Sequence, residues 1–233
     1  MKVIDSSALK IRAGAPVVLS AHTSKHLLAK HGIPVTQSFL ATTVSESVRM
    51  ADDLGYPVVL KIESPDVSHK TDVGGVRLAL SSADEVARAF VEVVRSVETS
   101  RPDARIEGVC IEECVTGGVE VIVGMERDPV FGPVVIFGLG GVFVEVLDDV
   151  SVRAAPVSDA DVGEMLKEIK GWKVLQGYRS SGPADIAALA GIIRSVSALA
   201  ELDERIQEVD LNPVLVRRAG SGAVVVDARV VSW

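Results

Sequence analysis

The chain has 233 residues, of which 48% are hydrophobic and 24% are charged, and its formal net charge at pH 7 is -8. These values are typical of a globular protein with one large domain or two lobes, and the acidic balance argues against a nucleic-acid partner or an anionic membrane surface. No apolar run approaches the ~20 residues that span a bilayer, and the first residues lack the apolar segment of a signal peptide, so we expect a cytoplasmic protein.

The first clear element is a helix that starts at Ser20 or Thr23 and ends at His31. His22 and His26 lie on it with i,i+4 spacing. Two helical histidines without an acid or thiol ligand are more typical of a solvated face than of a metal site.

A strand, a polar loop and a second strand are predicted between Pro57 and Leu80, after a helical pattern at 44–54. β-Forming residues bracket Lys61. The breaker sequence at 64–66 ends the first strand, and two glycines at 74–75 precede the second.

The polar loop of this unit carries His69 and Lys70. Each residue alone is more typical of a solvated side chain. Together with Lys61 and the glycines at 74–75, however, they bring a cation, a titratable nucleophile and exposed backbone amides into one hairpin-like unit, which suits phosphoryl transfer. Both interpretations remain open at this stage.

A helix capped by Ser81 or Ser82 follows and ends at the break at 100–102. The order strand, helix, strand, strand, helix predicts a small α+β lobe that ends near Arg105.

Two predicted strands between 106 and 124 flank a Thr-Gly-Gly turn at 116–118. The first strand ends in the sequence EECV at 112–115, and Glu120 lies in the second. A connector between two lobes can offer backbone groups to an adenine edge while a following carboxylate holds the ribose hydroxyls. An ordinary hairpin with solvent-facing glutamates is the alternative.

A glycine-rich loop at 138–141 separates the predicted strands Val134–Phe137 and Val142–Val146. Its backbone amides could approach phosphate oxygens, although tight hairpins also need glycine. It is not the dinucleotide-binding fingerprint, because a β-run follows it where that motif requires a helix.

The last part predicts a helix capped by Asp159, a loop at 171–182, a long helix from Pro183 and a final hairpin. The hairpin brings three oxygen-bearing side chains towards one end. They are Asp210, Asn212 and Asp227. Such oxygens are suitable Mg²⁺ ligands, whereas acids around an Asn-Pro turn are the common alternative.

Cys110 and Cys114 are the two cysteines, four residues apart in a predicted strand. Their separation of about 13 Å along the strand excludes a disulfide, and two cysteines without a histidine pair make a poor zinc site.

The sequences LKIESPDVSHKTDVGGVRL, GGVEVIVGMERDPVFGPVVIFGLGGVFVEVLDDVSVR and DLNPVLV resemble the β subunits of NDP-forming acyl-CoA synthetases, most closely the ADP-forming acetyl-CoA synthetases. The resemblance covers nearly the whole chain from about His22. It implies the ATP-grasp fold, of mixed α and β class, in which two α+β lobes clamp a nucleotide. The implied division is an extension at 1–21, a small lobe with the phosphohistidine loop at 22–112 and a large lobe with the metal site at 113–233.

Residue roles follow from the resemblance. His69 would carry a phosphoryl group, Asp210 would face the phosphohistidine, and Asn212 and Asp227 would bind Mg²⁺. The positions implied for ATP or ADP are Lys61 for phosphates, Glu112, Glu113, Cys114 and Val115 for adenine, Glu120 for ribose, and Gly140, Gly141 and Arg153 as further phosphate contacts. Glu113 replaces the small or proline-like residue expected beside the hinge, so either Glu112 or Glu113 could face the adenine.

The implied reaction is acyl-CoA + ADP + Pi ⇌ carboxylate + CoA + ATP. Because the chain has no G-x-G-x-x-G segment for coenzyme A, the resemblance implies a CoA-binding α subunit with its own phosphorylatable histidine, in an α2β2 assembly. A free-standing ATP-grasp ligase that makes an acyl phosphate and a non-catalytic ATP-sensing module are the alternatives, and neither needs His69.

Overall fold

A computed structural model describes residues 15–67, 69–141, 149–177 and 182–233. In chain order the elements are β1 (Val17–Val18), α1 (Ala21–Lys30), β2 (Ser38–Ala41), α2 (Val44–Leu54), β3 (Val58–Glu63), β4 (Val76–Leu80), α3 (Ala83–Ser100), β5 (Gly108–Glu113), β6 (Val119–Asp128), β7 (Gly132–Leu139), β8 (Val150–Ala154), α4 (Asp159–Glu168), α5 (Trp172–Leu175), α6 (Ile186–Leu202), β9 (Ile206–Val216), β10 (Ala223–Val225) and β11 (Ala228–Ser232). Within the described ranges, no helix is long and apolar enough to cross a membrane.

The smaller lobe is a four-stranded antiparallel sheet in the order β2-β5-β3-β4, with α2 and α3 packed against it. Alternation along β3 places Leu60 and Ile62 in the core beside Val93 of α3. Lys61 and Glu63 therefore point to the opposite face. The first turn of α3 is closed by the Ser82 hydroxyl, which accepts a hydrogen bond from the Glu85 amide.

The larger lobe is a seven-stranded antiparallel sheet in the order β1-β11-β9-β6-β7-β8, with β10 also paired to β9. Helix α6 packs against β6, β7 and β9, and α4 packs against α6 and β8. Leu189, Ile193 and Val196, which recur at helical spacing along α6, are fully buried in the core of this lobe. This spacing sets the core-facing side of the helix.

Helix α1 packs on the larger lobe, although the sequence division placed residues from 22 onwards in the smaller one. Leu28 and Ile33 lie in the larger core, and the Ser24 hydroxyl accepts a hydrogen bond from the Val230 amide at 3.1 Å. Val35 then bridges Val225 of β10, and β2 pairs with β5. The first crossing between the lobes is thus at 35–38.

Helix starts differ from the prediction by a few residues. Ser158, and not Asp159, caps α4, and its hydroxyl and the Asp161 carboxylate form a reciprocal capping box. Helix α6 begins after Asp185, whose carboxylate accepts from the Ala188 amide at 3.1 Å, and not at Pro183. In both cases a neighbouring side chain satisfies the free amides of the first turn.

Two further predictions concern the middle of the chain. The short helix α5 occupies part of the loop predicted at 171–182. The strand predicted at Val142–Val146 lies outside the described residues. Cys110 and Cys114 are both free thiols, as expected, and Cys110 is buried.

His22 is a half-buried imidazole between α1 and β2. Its Nδ1 lies 3.1 Å from the Ser38 hydroxyl, and its ring meets the His26 ring edge-on with centroids 4.4 Å apart. Burial, and then the neighbouring His26, lower the pKa of His22 to about 4. The ring is therefore neutral at pH 7.

This shift predicts an acid-sensitive fold. Between pH 6.5 and 4 the unfolded chain binds a proton at His22 that the folded chain does not, so stability falls as the pH falls through this range. We expect His22→Gln to remove about 1–2 kcal/mol of the stability loss between pH 7 and pH 4.5, after allowance for solvent screening. Urea unfolding at both pH values measures it. Exposed His31→Gln is the control, and an unchanged pH dependence in His22→Gln would contradict the assignment.

Candidate functional site

A cleft of about 650 Å³ lies where the two lobes meet, and we call it the interlobe cleft. Both lobes contribute side chains with polar or charged groups. From the smaller lobe these are Ser64, His69 and Lys70, and from the larger lobe they are Ser20, Asp210, Asn212, Asp227 and Arg229. His69, predicted as a phosphoryl carrier, and the three residues of the predicted metal hairpin lie far apart in the sequence. They nevertheless share one cavity in the folded chain.

His69 reaches the cleft from the loop between β3 and β4, where it is exposed. The loop closes on itself through a hydrogen bond from the Gly75 amide to the Lys70 carbonyl, at 2.7 Å. A Cβ on Gly75 would lie 2.6 Å from Ile62 and 2.8 Å from that carbonyl, so only glycine fits. The tight closure keeps the histidine segment at the end of β3.

The acidic side of the cleft is built by strand pairing. Asp210 on β9 lies opposite Arg229 on β11, and the Asn212 amide donates to the Asp227 carbonyl at 3.2 Å. The antiparallel register thus brings Asp227 beside Asn212, as the predicted hairpin requires.

Asp210 is partly buried between like charges. Burial, and then the Glu208 carboxylate, raise the pKa of Asp210 above its ordinary value, and the opposing effect of Arg229 is smaller. A carboxyl group in this environment holds a proton more readily than a solvated one does.

Lys61 lies in an interior strand of its sheet, and its side chain is nearly buried. Its Nζ is 3.0 Å from Glu112 Oε2 and 3.6 Å from Asp227 Oδ2. On the other side of Glu112, Lys25 Nζ lies 2.8 Å from Oε1 and donates to the Thr36 hydroxyl at 2.8 Å. We call Lys25, Glu112, Lys61 and Asp227 the charge chain.

The residues of the charge chain shift one another's pKa values. Burial alone would lower the pKa of Lys61, but Glu112 and Asp227 outweigh it and raise that pKa. Burial would likewise raise the pKa of Glu112, yet Lys61 and Lys25 hold it below its ordinary value. For Lys25, burial prevails and lowers the pKa. Removing one partner of such a buried pair typically costs about 3–5 kcal/mol, because the other charge is left uncompensated.

The connector at 112–115 is tied down by its own side chains. Glu112 is bound in the charge chain, and Glu113 Oε1 accepts a hydrogen bond from the Gln37 amide at 3.3 Å. The Cys114 amide donates to the Pro57 carbonyl at 3.4 Å. Both carboxylates thus have partners within the chain, so an adenine contact at Glu112, Glu113, Cys114 or Val115 stays a prediction and would use backbone groups.

Glu120 and the glycine turn lie against each other. The Gly140 amide donates to the Glu120 carbonyl at 2.8 Å, and a Cβ on Gly140 would lie 3.0 Å from that residue's carbonyl carbon. Gly141 has φ +68° and lies beside the Glu120 carboxylate. The predicted ribose and phosphate contacts are therefore neighbours, and exposed Glu120 is accessible to a ligand.

Arg153, the remaining predicted phosphate contact, is engaged elsewhere. Its guanidinium pairs with Glu168 of α4 at 2.8 Å, and the Ser151 hydroxyl donates to the same carboxylate. Arg153 is absent from the described lining of the interlobe cleft, and so are the other predicted nucleotide contacts, namely Lys61, 112–115, Glu120, Gly140 and Gly141. Their roles towards the nucleotide stay predictions.

Comparison with known proteins agrees with this geometry. The ATP-grasp domain family matches residues 10–231. The β subunit of acetate–CoA ligase (ADP-forming) II from Pyrococcus furiosus is 40% identical over 232 residues, which are 99% of this chain and 97% of that protein. The chain belongs to the ATP-grasp family of ADP-forming CoA ligases.

Other ATP-grasp ligases support the same assignment. Acetate–CoA ligase (ADP-forming) I from Archaeoglobus fulgidus is 48% identical over 205 residues, and the match covers 88% of this chain but 30% of that longer protein. Acetyl-coenzyme A synthetase 1 of Ca. Korarchaeum cryptofilum, solved with coenzyme A, Ca-AMPCP and HgCl+, is 45% identical with a TM-score of 0.90, covering 93% of this chain and 94% of that one. The fold and family predicted from the sequence are confirmed.

The residues of this ATP-grasp chain fit a magnesium ion at one place. Asn212 and Asp227 present amide and carboxylate oxygens to the interlobe cleft, which is the ligand chemistry Mg²⁺ prefers. Across the described ranges, no three His, Cys, Asp or Glu side chains form a cluster able to hold a metal. Phosphate and water oxygens would complete the coordination shell.

Sequence reasoning missed two charged residues of this ATP-grasp site. Lys25 was hidden because it lies among polar helical residues, next to His22 and His26, that resemble a solvated face. The one signal for Arg229 in the sequence is its position two residues after Asp227, on the same hairpin. Only the β9–β11 register shows that it lies opposite Asp210.

Proposed function

We propose that this chain carries out the nucleotide half-reaction of an ADP-forming acyl-CoA synthetase, acyl-CoA + ADP + Pi ⇌ carboxylate + CoA + ATP. The observation that carries the proposal is that His69 and the Asn212–Asp227 pair line one cleft between the lobes. A phosphoryl carrier and a metal-binding pair have to meet at the nucleotide for this chemistry.

The relay step forms and breaks one bond to phosphorus at a time. In the direction of ATP synthesis, a neutral His69 nitrogen attacks the phosphoryl group on the partner's histidine, and that P–N bond breaks. A terminal β-phosphate oxygen of ADP then attacks the phosphoryl group on His69 and the second P–N bond breaks. The other ring nitrogen keeps its proton throughout, so His69 leaves as neutral imidazole. Both steps depend mainly on positioning and charge neutralisation.

Lys61 supplies fixed positive charge where the phosphates approach. Its ammonium is already held by Glu112 and Asp227, so little reorganisation is needed when the nucleotide binds. Mg²⁺, when bound by Asn212 and Asp227, supplies further neutralisation of the phosphate oxygens. The amides at Gly140 and Gly141 are placed beside Glu120 for the remaining contacts.

Solved relatives support this use of the histidine loop. One structure of the Ca. Korarchaeum cryptofilum synthetase is described with coenzyme A, Mg-AMPPCP and a phosphohistidine segment pointing towards the nucleotide-binding site. That chain is 42% identical to this one with a TM-score of 0.82. We assign the same orientation to His69 when it exchanges phosphoryl with the nucleotide.

The matching experiment labels the chain directly. Purified protein is incubated with Mg·ATP labelled in the γ-phosphate, and we expect label that is stable in base and labile in acid, as a phosphohistidine is. His31→Ala should label like the parent chain, whereas His69→Asn should not label. Nucleotide binding without any such label, even with the partner present, would favour an ATP-sensing module instead.

Asp210 should govern the rate of transfer and not metal binding. If its carboxyl group orients the phosphohistidine, Asp210→Asn should lower the phosphoryl-transfer rate by about 10- to 100-fold at saturating Mg²⁺. Rapid-quench measurement of His69 labelling gives that rate. Rescue of the variant by additional Mg²⁺ would reassign Asp210 as a metal ligand.

The reaction also requires a partner, which the name of the Pyrococcus furiosus β subunit implies for that enzyme. We propose a CoA-binding α subunit with its own phosphorylatable histidine and an α2β2 assembly. A candidate contact is the tip between β6 and β7, where Val130 and Phe131 are 79% and 74% exposed. Exposed apolar residues of this kind mark interaction surfaces.

If this surface binds the α subunit, substitutions in it should impair assembly without changing nucleotide binding. Changing Val130 and Phe131 to Ser should weaken α-subunit binding by at least about tenfold, because buried apolar anchors dominate interface energies. Light scattering on the co-expressed subunits measures assembly, and Mg·ADP affinity should stay unchanged. Val91→Ser, an exposed apolar residue on α3, is the control. Normal assembly of the double variant would exclude this surface.

A further inference from the structure

Lys25 is a buried charge for which the proposed reaction has no direct use. Its side chain is 1% exposed, whereas that of Lys61 is 10% exposed. The Lys25 ammonium is held by Glu112 and the Thr36 hydroxyl, both at 2.8 Å. It therefore cannot act by touching the nucleotide.

The geometry gives Lys25 an effect on Lys61 through Glu112. One carboxylate lies between two ammonium groups, with Lys25 at 2.8 Å from one oxygen and Lys61 at 3.0 Å from the other. With Asp227 at 3.6 Å from Lys61, the charge chain is neutral overall. Without Lys25 it would carry one net negative charge, because Lys61 alone would face both Glu112 and Asp227.

Lys25 is also fixed to the lobe that carries the metal-binding pair. The Thr36 amide donates to the Val225 carbonyl at 2.9 Å, and the Thr36 hydroxyl lies 3.4 Å from the Val226 carbonyl, next to Asp227. The larger lobe thus holds Glu112 through Lys25 and Lys61 through Asp227. These two contacts fix the position of the Lys61 ammonium relative to Asn212 and Asp227.

We propose that Lys25 is a positioning residue for nucleotide binding: by neutralising Glu112, it leaves the charge of Lys61 available to the phosphates. The inference rests on the proposed function, since it takes Lys61 as a phosphate contact. It adds a residue that acts on the nucleotide through Glu112, without contact. The alternative, a lysine that serves packing alone, predicts different results in the following tests.

The first test removes the charge and keeps most of the stem. Lys25→Met should weaken Mg·ADP binding by at least about tenfold, the scale of one charge-assisted contact to phosphate. The Mg·ATP concentration for half-maximal labelling of His69 should rise to match, while the labelling rate at saturation changes by less than about threefold. Wild-type affinity in a folded Lys25→Met variant would overturn the proposal.

The second test restores the charge balance in another way. Lys25→Met combined with Glu112→Gln again leaves the charge chain neutral overall, so affinity should return to within about threefold of wild type, and Lys25→Arg should retain it. A pure packing role predicts no rescue by Glu112→Gln. A double variant as weak as Lys25→Met would overturn the proposal.

Two controls keep the outcome interpretable. If Lys25→Met does not fold, the double variant, which carries no unpaired buried charge, is compared directly with wild type, and a tenfold weaker affinity then overturns the proposal. Wild-type protein is labelled in parallel. Its failure to bind Mg·ADP or to label at His69 would refute the proposed function itself, whereas normal wild type without rescue refutes only the role of Lys25.

Discussion

Replacement of His69 by Ala should lower ATP synthesis from acyl-CoA by at least about 10³-fold in the assembled enzyme. The imidazole is a covalent carrier in the proposed reaction, so no other group in the cleft can take its place. Mg·ADP affinity should change by less than about twofold, because the anchoring charges belong to Lys61 and to the metal-binding pair. Coupled detection of ATP and calorimetry with Mg·ADP measure the two quantities.

The matched control for this variant is His31→Ala. His31 is exposed at the end of α1 and lies outside the described lining of the cleft. Wild-type turnover in His69→Ala would show that phosphoryl passes directly from the partner to ADP. A parallel loss of nucleotide binding would instead make His69 an anchor.

Replacement of Asp227 by Ala should raise the Mg²⁺ concentration for half-maximal turnover by at least about tenfold. In the proposed function this residue supplies a hard oxygen ligand, and its carboxylate lies 3.6 Å from the Lys61 ammonium. Its loss should therefore affect both the metal and the proposed phosphate contact. Asn212→Ala removes only a ligand, and we expect a smaller rise. Titration of turnover with Mg²⁺ at fixed nucleotide gives both values.

Glu98→Ala is the control for the loss of a carboxylate, since Glu98 is exposed on α3 in the smaller lobe. Its Mg²⁺ dependence should match that of wild type. An Asp227→Ala variant with lower affinity for nucleotide but an unchanged Mg²⁺ requirement would restrict Asp227 to holding Lys61.

Helices and strands were predicted correctly from the sequence where neighbouring side chains set the alternation of a strand or the cap of a helix. Leu60 and Ile62 alternate with Lys61 along β3, and the hydroxyls of Ser20 and Ser82 cap α1 and α3 as their positions suggest. The prediction of Asp159 as the cap of α4 was wrong by one residue, because the neighbouring Ser158 is an equally capable cap. The loop containing His69 was likewise visible, because breakers bound it on both sides.

Tertiary partners decided what the sequence could not show. An apolar position such as Leu28 does not reveal which of two sheets it packs against, so α1 was assigned to the smaller lobe. A lysine such as Lys25 looks solvated until Glu112 is brought next to it by folding. The adenine-side glutamates stayed ambiguous for the same reason, since each carboxylate is already bound, one by lysines and one by the Gln37 amide.

The early crossing of the chain, with α1 on the larger lobe, makes the smaller lobe an insertion. The chain enters this lobe at Gln37 and leaves it at Glu113. Two hydrogen bonds join these residues: the Glu113 amide donates to the Gln37 carbonyl, and the Gln37 amide donates to the Glu113 carboxylate. Two adjacent, mutually bonded strands resist sliding and shear but tolerate bending. The smaller lobe should therefore rotate about a single axis at this pair of strands, which opens the outer rim of the cleft more than the region beside the connector at 112–115.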